Sequence, residues 1–222
     1  MRYLLRLALS MLLTAYAAGA AAQTSAGRAG KWEVTLQPQY THGISFDSGN
    51  GTSGTTGSSL GFGFGVAYNL NNNFALGGDF VWSSASYNAT IAPAAGNGNA
   101  ATTLTGVLDT STIRFNVIWN MIATGNFTPF LIAGIGSTYI DTNIPYPTSP
   151  PVCWYDPWWG YYCSQPTRTA YDVSYSGALG LRWEIDRNIF VRALVNRVYI
   201  DVGGSLGTPH LDQYRVDLGF KF

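Results

Sequence analysis

The sequence predicts an all-β chain: an eight-stranded antiparallel, up-and-down transmembrane β-barrel after a cleaved signal peptide. Three observations predict it. The first is the carboxy-terminal run Asp212-Gln-Tyr-Arg-Val-Asp-Leu-Gly-Phe-Lys-Phe222. Tyr214, Val216, Leu218, Phe220 and Phe222 alternate with Gln213, Arg215, Asp217, Gly219 and Lys221. Period-2 alternation is the mark of a strand with one apolar and one polar face. The second is composition: charged residues are 11%, against roughly a quarter in soluble domains, while aromatics reach 14% with 26 glycines. Beyond the amino-terminus no run approaches the ~18 apolar residues of a membrane helix. A charge-poor, aromatic-rich chain can still span lipid if its backbone pairs into a closed barrel. The third is the alternation of long and short connections, developed below.

The amino-terminus carries Arg2 and Arg6, an apolar run from Leu4 to Ala18, and then Ala20-Ala21-Ala22-Gln23. A basic start, an apolar middle and small residues before a cut describe a secretory signal. The expected division is a signal peptide over 1–22, a short linker over 23–30 and the barrel over 31–222. Removing 1–22 leaves 10 basic against 12 acidic residues, a net charge of −2. That balance gives no reason to invoke nucleic acid.

Eight segments share the period. In the first, Trp32, Val34, Leu36, Pro38, Tyr40, Ile44 and Phe46 face one way and Lys31, Glu33, Thr35, Gln37, Gln39 and Thr41 the other. Residues 47–59 read as a polar loop. The second, about 59–70, opposes Leu60, Phe62, Phe64, Val66, Tyr68 and Leu70 to Gly61, Gly63, Gly65, Ala67 and Asn69. Small inward residues suit a narrow lumen. Asn71-Asn72-Asn73 is a turn. The third puts Phe74, Leu76, Phe80 and Trp82 outward and Asp79 inward, followed by a loop over 88–104. The fourth puts Ile113, Phe115, Val117, Trp119 and Met121 outward, with Arg114, Asn116 and Asn120 inward. After the 123–126 turn, the fifth presents Phe127, Leu131, Ala133, Ile135 and Tyr139, opposed by Phe130, Gly134 and Gly136. Residues 141–168 are the longest loop.

The sixth segment has Tyr171, Val173, Tyr175, Leu179, Leu181 and Trp183 outward. Asp172, Ser174, Ser176, Gly180, Arg182 and Glu184 face inward. Asp186-Arg187-Asn188 turns the chain. The seventh alternates Ile189, Val191, Ala193 and Val195 with Arg192 and Asn196, after which Val198, Ile200 and Val202 take the apolar role. A bulge near Asn196-Arg197 would account for that change of phase. Residues 203–211 read as a loop before the eighth. Connections after odd strands are long and after even strands short, as in outer-membrane barrels with periplasmic turns and external loops. Trp32, Tyr68, Phe74, Trp119, Phe127, Trp183 and Phe222 then fall near the short-turn end, as a periplasmic aromatic girdle.

The terminal run Tyr214–Phe222, the segment Thr128-Pro-Phe-Leu-Ile-Ala-Gly-Ile-Gly136 and the loop asymmetry together resemble the eight-stranded outer-membrane barrels of the OmpA, OmpX and OmpW type. The resemblance covers the whole chain after the signal. It implies an outer-membrane location, lipid and lipopolysaccharide as surroundings, and assembly machinery that engages the C-terminal strand. It also implies a monomer. Function differs among such barrels, so the resemblance speaks for architecture.

Three features bear on chemistry. Glu33, Asp79, Arg114, Asp172, Arg182, Glu184, Arg192, Arg215, Asp217 and Lys221 face the lumen. Buried charges must pair or stay hydrated. They read as a polar plug, or as a gate in which exchange of Arg–Glu pairs opens a narrow ion path. An eight-stranded interior is just filled by side chains, which argues against a wide pore. Cys153 and Cys163 enclose nine residues, six of them aromatic: Trp154, Tyr155, Trp158, Trp159, Tyr161 and Tyr162. An exported pair reads as a disulfide. The rings either pack on themselves or form an external recognition surface for an extracellular ligand. His42 and His210 approach the rim, with Ser45, Ser205 and Asp212 near in sequence, but His42 falls on the outward register and no motif fixes a nucleophile. The expectation is therefore no enzyme, no catalytic residues, no cofactor and no metal. The expected role is structural and surface-interacting, adhesin-like through long external loops. A narrow channel for small hydrophobic or ionic solutes is the alternative, and a lipid A-modifying hydrolase the second alternative.

Overall fold

The computed structural model describes residues 27–47, 53–91, 102–145, 152–156, 160–164, 167–201 and 210–222. The strands are β1 (Trp32–Leu36), β2 (Gln39–Thr41), β3 (Ser45–Asp47), β4 (Ser53–Thr56), β5 (Ser59–Asn69), β6 (Phe74–Ile91), β7 (Thr102–Asn120), β8 (Phe127–Pro145), β9 (Val152–Asp156), β10 (Gly160–Ser164), β11 (Thr167–Glu184), β12 (Ile189–Asp201) and β13 (His210–Lys221). β1 and β2 run as one stave. With β5, β6, β7, β8, β11, β12 and β13 it makes a ring of 8 strands. Closure is direct: Val34 lies opposite Phe220 on one side and Val66 on the other. Every neighbouring pair is antiparallel.

The gap between β1 and β2 has a covalent cause. Pro38 has no N–H to donate to the ladder. Pairing continues across it, because Gln37 N donates to Gly63 O at 2.8 Å and Val216 N donates to Pro38 O at 3.1 Å. Further up, Ile44 O accepts from Thr56 N at 2.8 Å and Gly57 N donates to Ser86 O at 2.8 Å.

The alternation is realised residue by residue. Leu60, Phe64, Phe115, Leu179, Leu218 and Phe222 are exposed on the outer wall. Outside a membrane so many exposed apolar side chains would be an aggregation hazard; within one they face lipid. At the short-turn end the girdle residues pair across strands. Trp32 meets Tyr68 at 5.0 Å between ring centroids, Phe74 stacks on Trp119 at 6.4 Å and Phe127 on Trp183 at 5.7 Å. The short turns are held by side chains. Asn71 Oδ1 accepts from both Asn73 N and Phe74 N at 2.8 Å, the Asx geometry for which Asn is favoured in turns.

Three expectations are corrected. The proposed bulge at Asn196-Arg197 is absent: β12 keeps continuous register with β11 and β13 through Asn196↔Gln213, Arg197↔Asp212 and Val198↔Leu211. Val198 and Ile200 therefore point inward and are buried, while Arg197 and Tyr199 point outward. The period never shifts. What changes is the chemistry of the lumen, which turns apolar towards the long-loop end; Val202 lies outside the described residues. Secondly, the 47–59 segment is not all loop, because Ser53–Thr56 pairs with Tyr87–Thr90 of β6. Thirdly, β6 reaches Ile91, β7 begins at Thr102, β8 reaches Pro145 and β11 begins at Thr167. These extensions carry Ser, Thr and Asn, which imitate loop composition. Their strand pairing follows from the ladder below, beyond the reach of the apolar belt.

Inward glycines are needed where large rings cross the lumen. A Cβ on Gly219 would land on the ring of Phe190, which is fully buried. Gly219→Val should destabilise the barrel by about 1–3 kcal/mol through overpacking. Urea unfolding of the micelle-solubilised chain, followed by heat-modifiable gel mobility, measures it; an unchanged midpoint would contradict the packing.

Candidate functional site

The lumen is stacked in layers. Lowest, at the short-turn end, Glu184 sits among three cations: Arg28 at 3.3 Å, Arg182 at 2.8 Å and Lys221 at 3.3 Å. Arg182 also grips Glu33 with two parallel hydrogen bonds of 2.9 and 2.8 Å. That fork geometry is the strongest form of an Arg–carboxylate contact. Asn69 Nδ2 donates to the same Glu33 at 2.9 Å.

Above lie Phe190 and Phe130, both fully buried. The Arg182 guanidinium covers Phe190 at 3.7 Å from the ring centroid, and Arg192 stands 5.3 and 5.7 Å from the two rings. Cations over ring faces gain from the ring quadrupole when desolvated. The next layer joins Asp79 to Arg114 at 2.9 Å and Arg215 at 3.2 Å, and Asp217 to Arg192 at 3.0 Å and Arg215 at 2.8 Å. Nine of the ten expected network residues belong to these pairs. Asp172 does not: it is half-buried on β11 and joins none of the described ion pairs. It stands ten positions from Arg182, roughly 33 Å along the strand.

Arg28 was expected to lie in a linker. It is instead 1% exposed. Its guanidinium donates to Ile122 O at 2.5 Å and Ala123 O at 3.3 Å, and its backbone N to Asn72 Oδ1 at 2.8 Å. Burial, and next the charge of Arg182, push its pKa down, opposed by Glu184; an arginine remains cationic regardless. It ties the 70–73 and 121–126 turns together and closes that end of the lumen. One arginine among Ala, Gly and Ser carried no periodic signal. Phe190 was the other residue whose lumen role the pattern concealed, whereas Phe130 falls on the inward face expected of it.

Over the charges come neutral pairs: Asn196 with Gln213 at 2.8 Å, Thr112 with Thr138 at 3.0 Å, and Ser83 with Thr110 at 2.8 Å. They floor a cavity of about 240 Å³ near the long-loop end, lined by His42, Ile44, Leu108, Ile140, Ile200 and Leu211 among others.

The histidines form no catalytic array among the described residues. Asp212, the candidate orienting acid, is taken by Arg197 at 2.6 and 2.9 Å. His210 lies 6.0 Å from the Tyr199 ring, and Ser205 is outside the described residues. In the long loop Cys153 and Cys163 form a disulfide across paired β9 and β10. The backbone register sets Trp154 opposite Tyr162 and Tyr155 opposite Tyr161. Trp158 and Trp159 lie outside the described residues.

The sequence matches the family described as outer membrane protein beta-barrel domain over residues 8–222. The chain belongs to that family. The match and the fold place this barrel protein in the outer membrane. Solved structures of the same fold include Neisserial surface protein A, with a TM-score of 0.50 and 12% identity, covering 85% of this chain and 95% of that one. Ail, the attachment invasion locus protein of Yersinia pestis, in complex with the heparin analogue sucrose octasulfate, matches at 0.49 and 11%, covering 87% and 99%. OprG from Pseudomonas aeruginosa matches at 0.49 and 12%, covering 90% and 99%. No curated protein matches the sequence.

Glu184→Gln should be strongly destabilising. It removes the charge that three buried cations share, and breaking buried pairs costs about 3–5 kcal/mol. Denaturant midpoints of variant and natural barrel test this; a change under about 1 kcal/mol would contradict the network.

Proposed function

We propose that this barrel is a monomeric surface protein that acts through its external loops, with the lumen serving as a structural plug. One observation carries the reading. The ion-paired layers fill the barrel section, and the cavities found among them are of only about 20 Å³. A plugged lumen offers no wide diffusion path, so the long-loop end is the face left for interaction. There the disulfide clamps a hairpin whose sequence is crowded with Trp and Tyr. Such rings supply large contact area at low entropic cost. The occupant that this chemistry favours is an extracellular ligand offering apolar or sugar faces.

Replacing Trp158 and Trp159 together by Ala should weaken binding of intact cells to their target surface by roughly tenfold or more, as for aromatic hot spots. Heat-modifiable mobility should stay unchanged. Undiminished binding would assign the rings to self-packing of the loop. Planar-bilayer recordings should show at most small, brief conductance; large stable steps would overturn the plug.

A second reading has its own observation. The cavity of about 240 Å³ is lined mainly by apolar side chains, below the ~300–1,000 Å³ of drug-sized sites. It suits a small neutral hydrophobic solute entering a narrow route. If that route operates, cells carrying the barrel should take up such a solute faster, and Ile200→Glu should remove the gain.

A further inference from the structure

The middle layer of the lumen has more charge than it pairs. Among the described ion pairs, Arg114, Arg192 and Arg215 meet only Asp79 and Asp217, and all five are buried. The lowest layer repeats the excess, with Arg28, Arg182 and Lys221 against Glu33 and Glu184. Uncompensated charge in a dry interior is costly. Water can satisfy a donor but leaves the charge.

Buried donors here also lack hydrogen-bond partners: Arg215 Nε keeps only its ion contact with Asp217 at 2.8 Å, and Arg192 keeps less. Arg192 is 3% exposed, and its Nε and Nη2 both contact Asp217 Oδ2 at 3.0 Å. Its Nη1 is buried with no partner. Arg192 and Arg215 line a cavity of about 20 Å³ with Thr35, Gln37, Asp79 and Asn116. That is room for one particle of about a water's size. The Asp79 oxygens are already engaged by Arg114 and Arg215. Gln37 has its Oε1 unpartnered while its Nε2 donates to Thr35 Oγ1 at 2.9 Å. Half a turn of that amide, with the Thr35 hydroxyl turning from its long 3.4 Å bond to Gly65 O, lets Thr35 donate to Oε1 and frees Nε2–H as a second donor. Gly65 keeps the space open, since a Cβ there would stand 2.9 Å from Thr35 Oγ1.

We propose that this cavity binds one small monovalent inorganic anion, a halide, held by Arg192 and Gln37 as the counter-charge of the buried arginines. The site is independent of the surface role, because it concerns the integrity of the plug. It adds to the four carboxylates an anion supplied by solvent during folding.

Crystals of the signal-free barrel grown in sodium bromide test it directly. An anomalous peak within hydrogen-bonding distance of Arg192 Nη1 is expected; a cavity that holds only water, or nothing, overturns the proposal. Thermal unfolding in micelles gives a second readout. At equal ionic strength the midpoint should be higher in chloride or bromide than in methanesulfonate, which is too large to enter, by about 2–4 °C. Gln37→Glu builds a carboxylate into the site and should abolish that halide dependence. A natural chain indifferent to halide, or a Gln37→Glu chain that still responds, would overturn it. Should Gln37→Glu fail to fold, the bromide map of the natural chain decides alone.

Discussion

The ladder between the first stave and the last is the constraint on which the rest depends. Lipid supplies no hydrogen-bond partners, so every backbone N–H and C=O of a spanning segment must be met by protein. Val34 opposite both Phe220 and Val66 leaves no free edge in the lipid. Once closed, the wall divides the chain into an outside wetted by hydrocarbon and an inside out of reach of bulk water. Each strand's two faces then obey different rules, and the strict alternation of the sequence follows.

The inside is where closure becomes demanding. An eight-stranded lumen is about as wide as the side chains that fill it. Arginine reaches across it and meets carboxylates from strands that are not its neighbours: Arg182 of β11 grips Glu33 of β1, and Arg215 of β13 reaches Asp79 of β6. Such pairs are weak evidence for stability in the abstract, since desolvation offsets much of their attraction. Their consequence here is register. Sliding one strand by a single residue would put its charges into lipid and its apolar residues into the lumen. The plug and the wall therefore specify each other.

The lumen is also graded along its axis. Ion pairs and aromatic rings occupy the short-turn half, neutral amide and hydroxyl pairs follow, and apolar side chains line the opposite end. On the proposed reading the lower half holds the barrel shut, while the upper cavity and the loops meet solutes and surfaces.

Much of this was legible in the sequence. Alternation over 31–46, 59–70 and 212–222 gave the wall, since a strand's two faces are a property of its own dihedral repeat. The short turns were legible because Asn71 and Asp186 act on backbone one to three residues away. The inward charges were legible by phase. Their partners were not, because a cross-lumen contact depends on how far each strand is staggered against the next. Arg28 was hidden because nothing periodic surrounds it, and the polar strand extensions because Ser and Thr are common in loops and in wet strands alike. The change of phase at Val198 looked like a bulge because residue type was taken for direction. By itself, then, the sequence determined which residues face lipid and which face in. Only the tertiary structure decided which charges meet, which arginine keeps a buried N–H without a partner, and where the lumen turns from salt to oil, because these depend on strands brought together only by closing the ring.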